Sequence, residues 1–188
     1  MKKEARHQKV NKLPDVITNL REGNIGLILD SYDDIFSDFD PRDYSQKTLS
    51  DDFLNECKKA VHDKKDKFGL RLLIPKKRNL KEEVVIRRRL KEHFERHFIE
   101  KKKELNKIKI SGFLWFILGT LIILAGTFLY IQKEKDFLYT LLFVISEPAS
   151  WFFFWEGLDK IFITSRKGLP EFIFYKKMAK SEIYFLDY

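Results

Sequence analysis

The sequence predicts a membrane protein of the α+β class, with a two-helix transmembrane hairpin inserted in a small cytoplasmic α/β domain. Three observations predict this. Residues 110–131 form a stretch of 22 residues without a charge. Residues 137–155 form a second, 19 residues long, in which Glu147 is the single charge. The remaining segments, 1–109 and 156–188, carry short apolar runs and helical stripes in alternation.

The chain of 188 residues has room for one soluble domain of roughly 100 residues beside a membrane segment. Its 18 Phe and 15% aromatic content exclude a disordered chain, since disordered segments are poor in aromatics. Met1 to Lys12 is basic and polar without an apolar centre, which is not the pattern of a signal peptide. A lone cysteine, Cys57, excludes a disulfide within the chain and a cysteine cluster for zinc.

Asn24 to Asp30 is short, apolar and bounded by Gly23 and an acidic run, so it reads as a buried strand. Ser50 to Asp63 reads as a helix, with Ser50 as N-cap and Asp51 and Asp52 at the positive end of the helix dipole. Phe68 to Ile74 reads as a second strand ended by Pro75. Strand, helix, strand predicts a crossover with the two strands parallel. Asn79 to about Lys107 reads as a basic helix, with Ile86, Leu90, Phe94 and Phe98 spaced by four. No Pro or Gly falls between Pro75 and Gly112. This helix is therefore expected to run into the first span and to couple the domain to it mechanically.

Beyond the second span, Glu156 to Arg166 reads as an amphipathic continuation. Pro170 suits the first turn of a helix over Glu171 to Lys180. Glu182 to Tyr188 reads as a strand that returns to the two earlier ones, because a two-stranded sheet is marginal. The expected boundaries are a domain over 1–109 with its basic helix at 79–108, spans at 110–131 and 137–155, an extracytoplasmic turn at 132–136, and a tail, 156–188, that completes the domain.

Charge orients the hairpin. Residues 76–109 hold 14 basic and 6 acidic side chains, which accounts for the whole net charge of +8. Lysine and arginine gather on the cytoplasmic side of short spans. Lys101, Lys102, Lys103, Lys107 and Lys109 precede the first span, and Lys160, Arg166, Lys167 and Lys176 follow the second. The five-residue linker holds only Lys133 and Lys135. Both termini are expected in the cytoplasm of a multi-pass protein of the cell membrane. The five lysines are expected to meet anionic head groups of the bilayer, a contact each strengthens by about 1 kcal/mol. Nucleic acid, the other partner of a basic helix, is not expected beside a span.

Within the hairpin, Gly112, Gly119 and Gly126 recur every seven residues and form one stripe. Such a stripe packs against the second helix of the same chain or against another copy in a homo-oligomer. Glu147, Pro148, Ser146 and Ser150 suggest a break in the second helix with polar groups turned inward. Glu147 then handles ions or protons, or pairs at the interface, or bonds a hydroxyl such as Thr120.

Two clusters outside the spans bear on chemistry. Asp30, Asp33, Asp34, Asp38, Asp40 and Asp43 lie in one run that begins where a strand ends, the side on which α/β sheets bind ligands. Clustered carboxylates can hold a divalent cation, although the spacing matches no calcium loop. The plainer reading is a structured loop whose acids cap turns and pair with residues 76–109. His93 and His97 stand four apart on the long helix, without the glutamate of a metalloprotease motif. No phosphate loop, dinucleotide fingerprint or nucleophile elbow occurs, and no cofactor is expected.

Three functions follow as expectations. The first is a membrane-anchored sensor or scaffold whose cytoplasmic domain binds a protein or ligand. The second is an oligomeric pore or ion-coupling protein that uses Glu147. The third is a membrane-bound, metal-dependent enzyme at the acidic loop.

Overall fold

The computed structural model describes residues 24–62, 64, 68–75, 78–132 and 137–187. The readings at Met1–Lys12, at Gly23 and at residues 133–136 of the linker lie outside these residues. The chain divides into two compact units, residues 1–98 with 174–188, and residues 99–173. The architecture is mostly helical, with one small sheet and two long apolar helices.

The first unit carries the sheet. Strand β1 (Ile25–Ile28) pairs in parallel with β2 (Gly69–Ile74), and β2 pairs in parallel with β3 (Glu182–Asp187). The order is β1-β2-β3, so two strands that precede the apolar helices share one sheet with a third that follows them. Register explains which side chains are buried. Ile25 lies opposite Leu70, which lies opposite Ile183; Leu27, Leu72 and Phe185 align two residues on. Alternate residues of a strand point to one face, and this face enters the core.

Helix α1 (Asp51–Val61) adds Phe53, Cys57 and Val61 to that core. Helix α2 (Leu80–Gln132) begins in this unit and adds Ile86, Leu90 and Phe94. The three fall on one stripe because four residues are slightly more than one turn. Phe174, Tyr175 and Met178 complete the core from a later helix, Leu169–Lys180. Ser50 precedes α1 in extended conformation, but its hydroxyl makes no capping bond, contrary to the sequence reading. Its backbone N–H instead donates to Ile35 O at 2.9 Å and ties the helix start to the preceding loop. Asn79 is the side chain that caps, with Oδ1 accepting from Lys81 N at 3.2 Å.

In the second unit α2 continues to Gln132 without a break. Helix α3 (Phe137–Asp159) follows, then a π-helical turn (Lys160–Thr164) and the short helix α4 (Ser165–Lys167). Helix α5 (Leu169–Lys180) leads to β3. By length and composition α2 and the run Phe137–Lys167 can each cross a membrane. Most of their large apolar side chains face outward: Leu114 is 61% exposed, Leu124 61% and Phe152 60%.

The expected break at Pro148 is absent, because α3 runs through it. Proline removes one backbone bond of the i to i−4 ladder. Two serine hydroxyls add bonds on either side: Ser146 Oγ donates to Phe143 O and Ser150 Oγ to Glu147 O, each at 2.7 Å. The expected smooth amphipathic continuation over Glu156–Arg166 is interrupted by the π turn, which puts one extra residue into the ladder.

Candidate functional site

The seam between α2 and α3 is built from small residues. Gly112, Gly119, Gly126, Ser150 and Gly157 are the buried positions along the two helices beyond Leu105 and before Ser165. A methyl group on Gly119 would lie 2.6 Å from Phe154 N and 3.1 Å from Ser150 O. One on Gly157 would lie 2.6 Å from Phe116 N and 2.8 Å from Gly112 O. One on Gly126 would lie 2.5 Å from Ser146 Oγ. No side chain fits at Gly119 or Gly157, where the obstacles are backbone atoms, and the backbones approach because none is present; at Gly126 the obstacle is only the Ser146 hydroxyl. In lipid this closeness is the source of helix association, since apolar side chains gain nothing by leaving apolar solvent. Aromatic pairs flank the seam: Trp115 with Phe153, Phe116 with Phe154 and Tyr130 with Phe143, at ring distances of 5.1, 4.8 and 5.3 Å. Gly157 is a member that the sequence reading missed. Its signal was present, since it stands seven residues after Ser150.

The glycine stripe thus faces α3 of the same chain. Ser146 and Ser150 face α2, whereas Glu147 is exposed on the outer side of α3. Thr120 is not its partner, because its hydroxyl donates to Phe116 O at 3.0 Å.

The acidic run of the first unit is a folded loop. Tyr32–Ile35 forms a 3-10 turn, with Ser31 Oγ accepting from Asp33 N. Tyr32, Ile35 and Phe36 are buried, and Phe36 stacks on Tyr44 at 5.1 Å. The carboxylates serve the loop itself. Asp34 accepts from Asp30 N at 2.7 Å. Asp33 accepts from Tyr44 Oη at 3.0 Å and Lys47 Nζ at 3.5 Å. Asp40 accepts from Thr48 N at 2.7 Å and from Arg42 Nε and Nη2 at 2.9 and 2.7 Å. The Arg42 guanidinium, with the Thr48 amide, holds the Asp40 carboxyl far below the usual range. Asp38 is exposed. Among the described residues no three His, Cys, Asp or Glu side chains converge as metal ligands would. The sequence reading weighted the acids; the aromatic residues between them anchor the loop.

Beside this loop stands a buried ion pair that the sequence did not reveal. Glu83 is 1% exposed. Arg78 grips its carboxylate with both arms, Nε to Oε1 at 2.7 Å and Nη2 to Oε2 at 2.8 Å. Tyr32 Oη donates to Oε1 at 2.9 Å and accepts from Asn79 N at 3.0 Å. Arg78 chiefly, with Tyr32, lowers the pKa of Glu83, while burial raises that of Tyr32. The network joins the end of β2, the start of α2 and the loop after β1. No family model, curated protein or solved structure is similar enough to this chain to show a relative.

The His93 and His97 rings lie 4.3 Å apart, inclined by 59°, and His97 stacks on the Tyr175 ring at 5.2 Å, inclined by 28°. Cys57 is fully buried in α1, and burial pushes its thiol up to about 12. The thiolate is the nucleophile, so Cys57 of the folded protein should resist iodoacetamide at pH 8. Alkylation counted by mass should appear only after denaturation; labelling of the native protein at the rate of a free thiol would contradict this burial.

Of the lysines expected at lipid head groups, Lys102, Lys103, Lys107 and Lys109 are exposed. Lys101 is not available in the same way. It pairs with Glu171 at 2.8 Å and Glu104 at 3.0 Å, and these carboxylates, Glu171 foremost, raise its pKa.

Proposed function

We propose that the chain is a two-span protein of the cell membrane whose sheet-bearing unit is a cytoplasmic binding or scaffold module. The single observation that carries the reading is the sidedness of α2 and α3. Their contact face is glycine and serine, and their outer faces are continuous leucine, isoleucine and phenylalanine. A water-soluble protein does the reverse, burying large apolar residues and exposing small or polar ones. Both termini face the cytoplasm, since lysine and arginine flank the outer ends of the spans.

The binding reading draws on the acidic loop and on Glu83. The loop's carboxylates are engaged in caps and ion pairs, which supports a rigid surface rather than a reactive one. Alkaline extraction of membranes tests the spans: the full-length protein should stay in the pellet until detergent is added. Recovery in the supernatant would overturn the proposal.

A second reading, assembly of several copies around Glu147, is favoured by one observation. Glu147 is exposed on an otherwise apolar surface of α3. Carboxylates at membrane depth are costly unless covered or wet. Native mass in mild detergent separates the readings, because a strict monomer removes the assembly.

A further inference from the structure

We propose that the second unit holds a binding groove for one anionic phospholipid, formed where α2 passes the π turn, α4 and the start of α5. It rests on the two-span reading above. The groove has a volume of about 530 Å³ and is lined by Leu105, Lys109, Phe113, Ile161, Phe162, Ser165, Arg166 and Leu169.

Its chemistry is layered along the helices. A Cβ on Gly112 would lie 2.9 Å from Ile161 and Gly157, and one on Gly168 would lie 3.1 Å from Leu105, which fixes the levels. Phe113, Ile161 and Phe162 therefore occupy the layer nearer the apolar stretch 110–131. Lys109, Ser165 and Arg166 occupy the next layer outward. This order, hydrocarbon wall and then paired cations, is the order of an acyl chain and its phosphate. The π turn produces it, since an inserted residue turns Arg166 relative to the residues before Lys160. Such single π turns recur at functional sites.

The two cations differ from their neighbours. Lys160 is taken by Glu156 and lies 5.2 Å from the Trp115 ring. Lys101 is taken by Glu104 and Glu171. Lys109 and Arg166 are exposed, and neither makes an ion pair among the described residues. A guanidinium and an ammonium together suit a phosphate, the first with a fork of donors and the second as a point charge. A zwitterionic lipid would bring its own cation to the same place and gain less.

The test is native mass spectrometry of the full-length protein from mild detergent, titrated with phosphatidylglycerol, phosphatidylcholine or inorganic phosphate. One phosphatidylglycerol per chain is expected to be retained, in preference to phosphatidylcholine. Lys109→Gln with Arg166→Gln should weaken retention about thirtyfold, the equivalent of ~2 kcal/mol for two cations. Lys81→Gln with Lys91→Gln, exposed lysines of the sheet-bearing unit, should leave it unchanged. Leu169→Trp, which fills the groove with both cations in place, should abolish retention outright and covers the case in which the double variant fails to fold. Equal retention of the two lipids, an undiminished double variant, or release of phosphatidylglycerol by millimolar phosphate would each overturn the assignment. A protein that needs detergent for extraction yet shows no lipid preference refutes the groove alone. One that needs no detergent refutes the two-span reading.

Discussion

A leucine at Gly119 is expected to drive the two apolar helices apart. Its Cβ alone would sit 2.6 Å from the Phe154 amide nitrogen, a backbone atom that cannot swing aside. Overpacking against movable side chains costs about 1–3 kcal/mol, and a backbone obstacle on both sides puts this site at the upper end. A cysteine pair reports the outcome. The Cβ atoms at Gly126 and Ser146 would be 3.5 Å apart, which suits a disulfide. With Cys57 replaced by alanine, Gly126→Cys with Ser146→Cys should oxidise nearly to completion. Adding Gly119→Leu should cut the yield about a hundredfold, as a loss of about 3 kcal/mol implies. Leu118→Phe, on the outer face, should leave it intact. Thiol counting by alkylation and mass reads the result. Unchanged cross-linking in the leucine variant would contradict the seam.

The second large effect belongs to Glu83. Removing one partner of a buried, hydrogen-bonded ion pair costs about 3–5 kcal/mol because the other charge is left without compensation. Arg78 retains some contact with solvent, with a side chain 28% exposed, so Glu83→Ala and Arg78→Ala should each cost about 3 kcal/mol. Arg78→Met with Glu83→Leu should cost less than either alone, because no charge remains buried. Hydrogen-exchange protection of the β2 amides in the full chain measures this. The pH dependence has a definite sign. The folded pKa of Glu83 is lowered, so its contribution is present above the unfolded carboxylate value of about 4.3 and fades as pH falls through the lower folded value. Wild-type protection should hold at pH 5 and decline below about pH 4, and the double apolar variant should lose that part of the decline.

The elements that periodicity marks strongly were legible in the sequence. Ile86, Leu90 and Phe94 keep a helical period, and Phe68–Ile74 and Glu182–Tyr188 are short apolar-rich runs, the first ended by Pro75, so a helix and two strands could be assigned before any contact was known. The uninterrupted α2 followed from the lack of Pro and Gly before Gly112. What escaped depends on pairing across long separations. Tyr32 meets Glu83 across 51 positions, and neither residue is unusual where it stands. Glu83 read as one more charge on a basic helix because no local pattern distinguishes a buried glutamate from a solvated one.

The reading at Pro148 went astray for a different reason. Proline next to glutamate and serines is a local signal for a break, and in water it often makes one. Here the hydroxyls of Ser146 and Ser150 bond carbonyls three residues back and the helix continues. The π turn at Lys160–Thr164 carries no proline or glycine, so nothing in its composition announced it.

The position of β3 has a consequence for synthesis. Its partner β2 precedes both apolar helices in the chain, and β3 follows them, so the last strand emerges from the ribosome only after both have been made. A nascent chain halted before Glu182 would present the β2 edge bare, an open template for unwanted pairing. The sheet therefore closes late: its third strand can seat only in chains synthesised past both apolar helices.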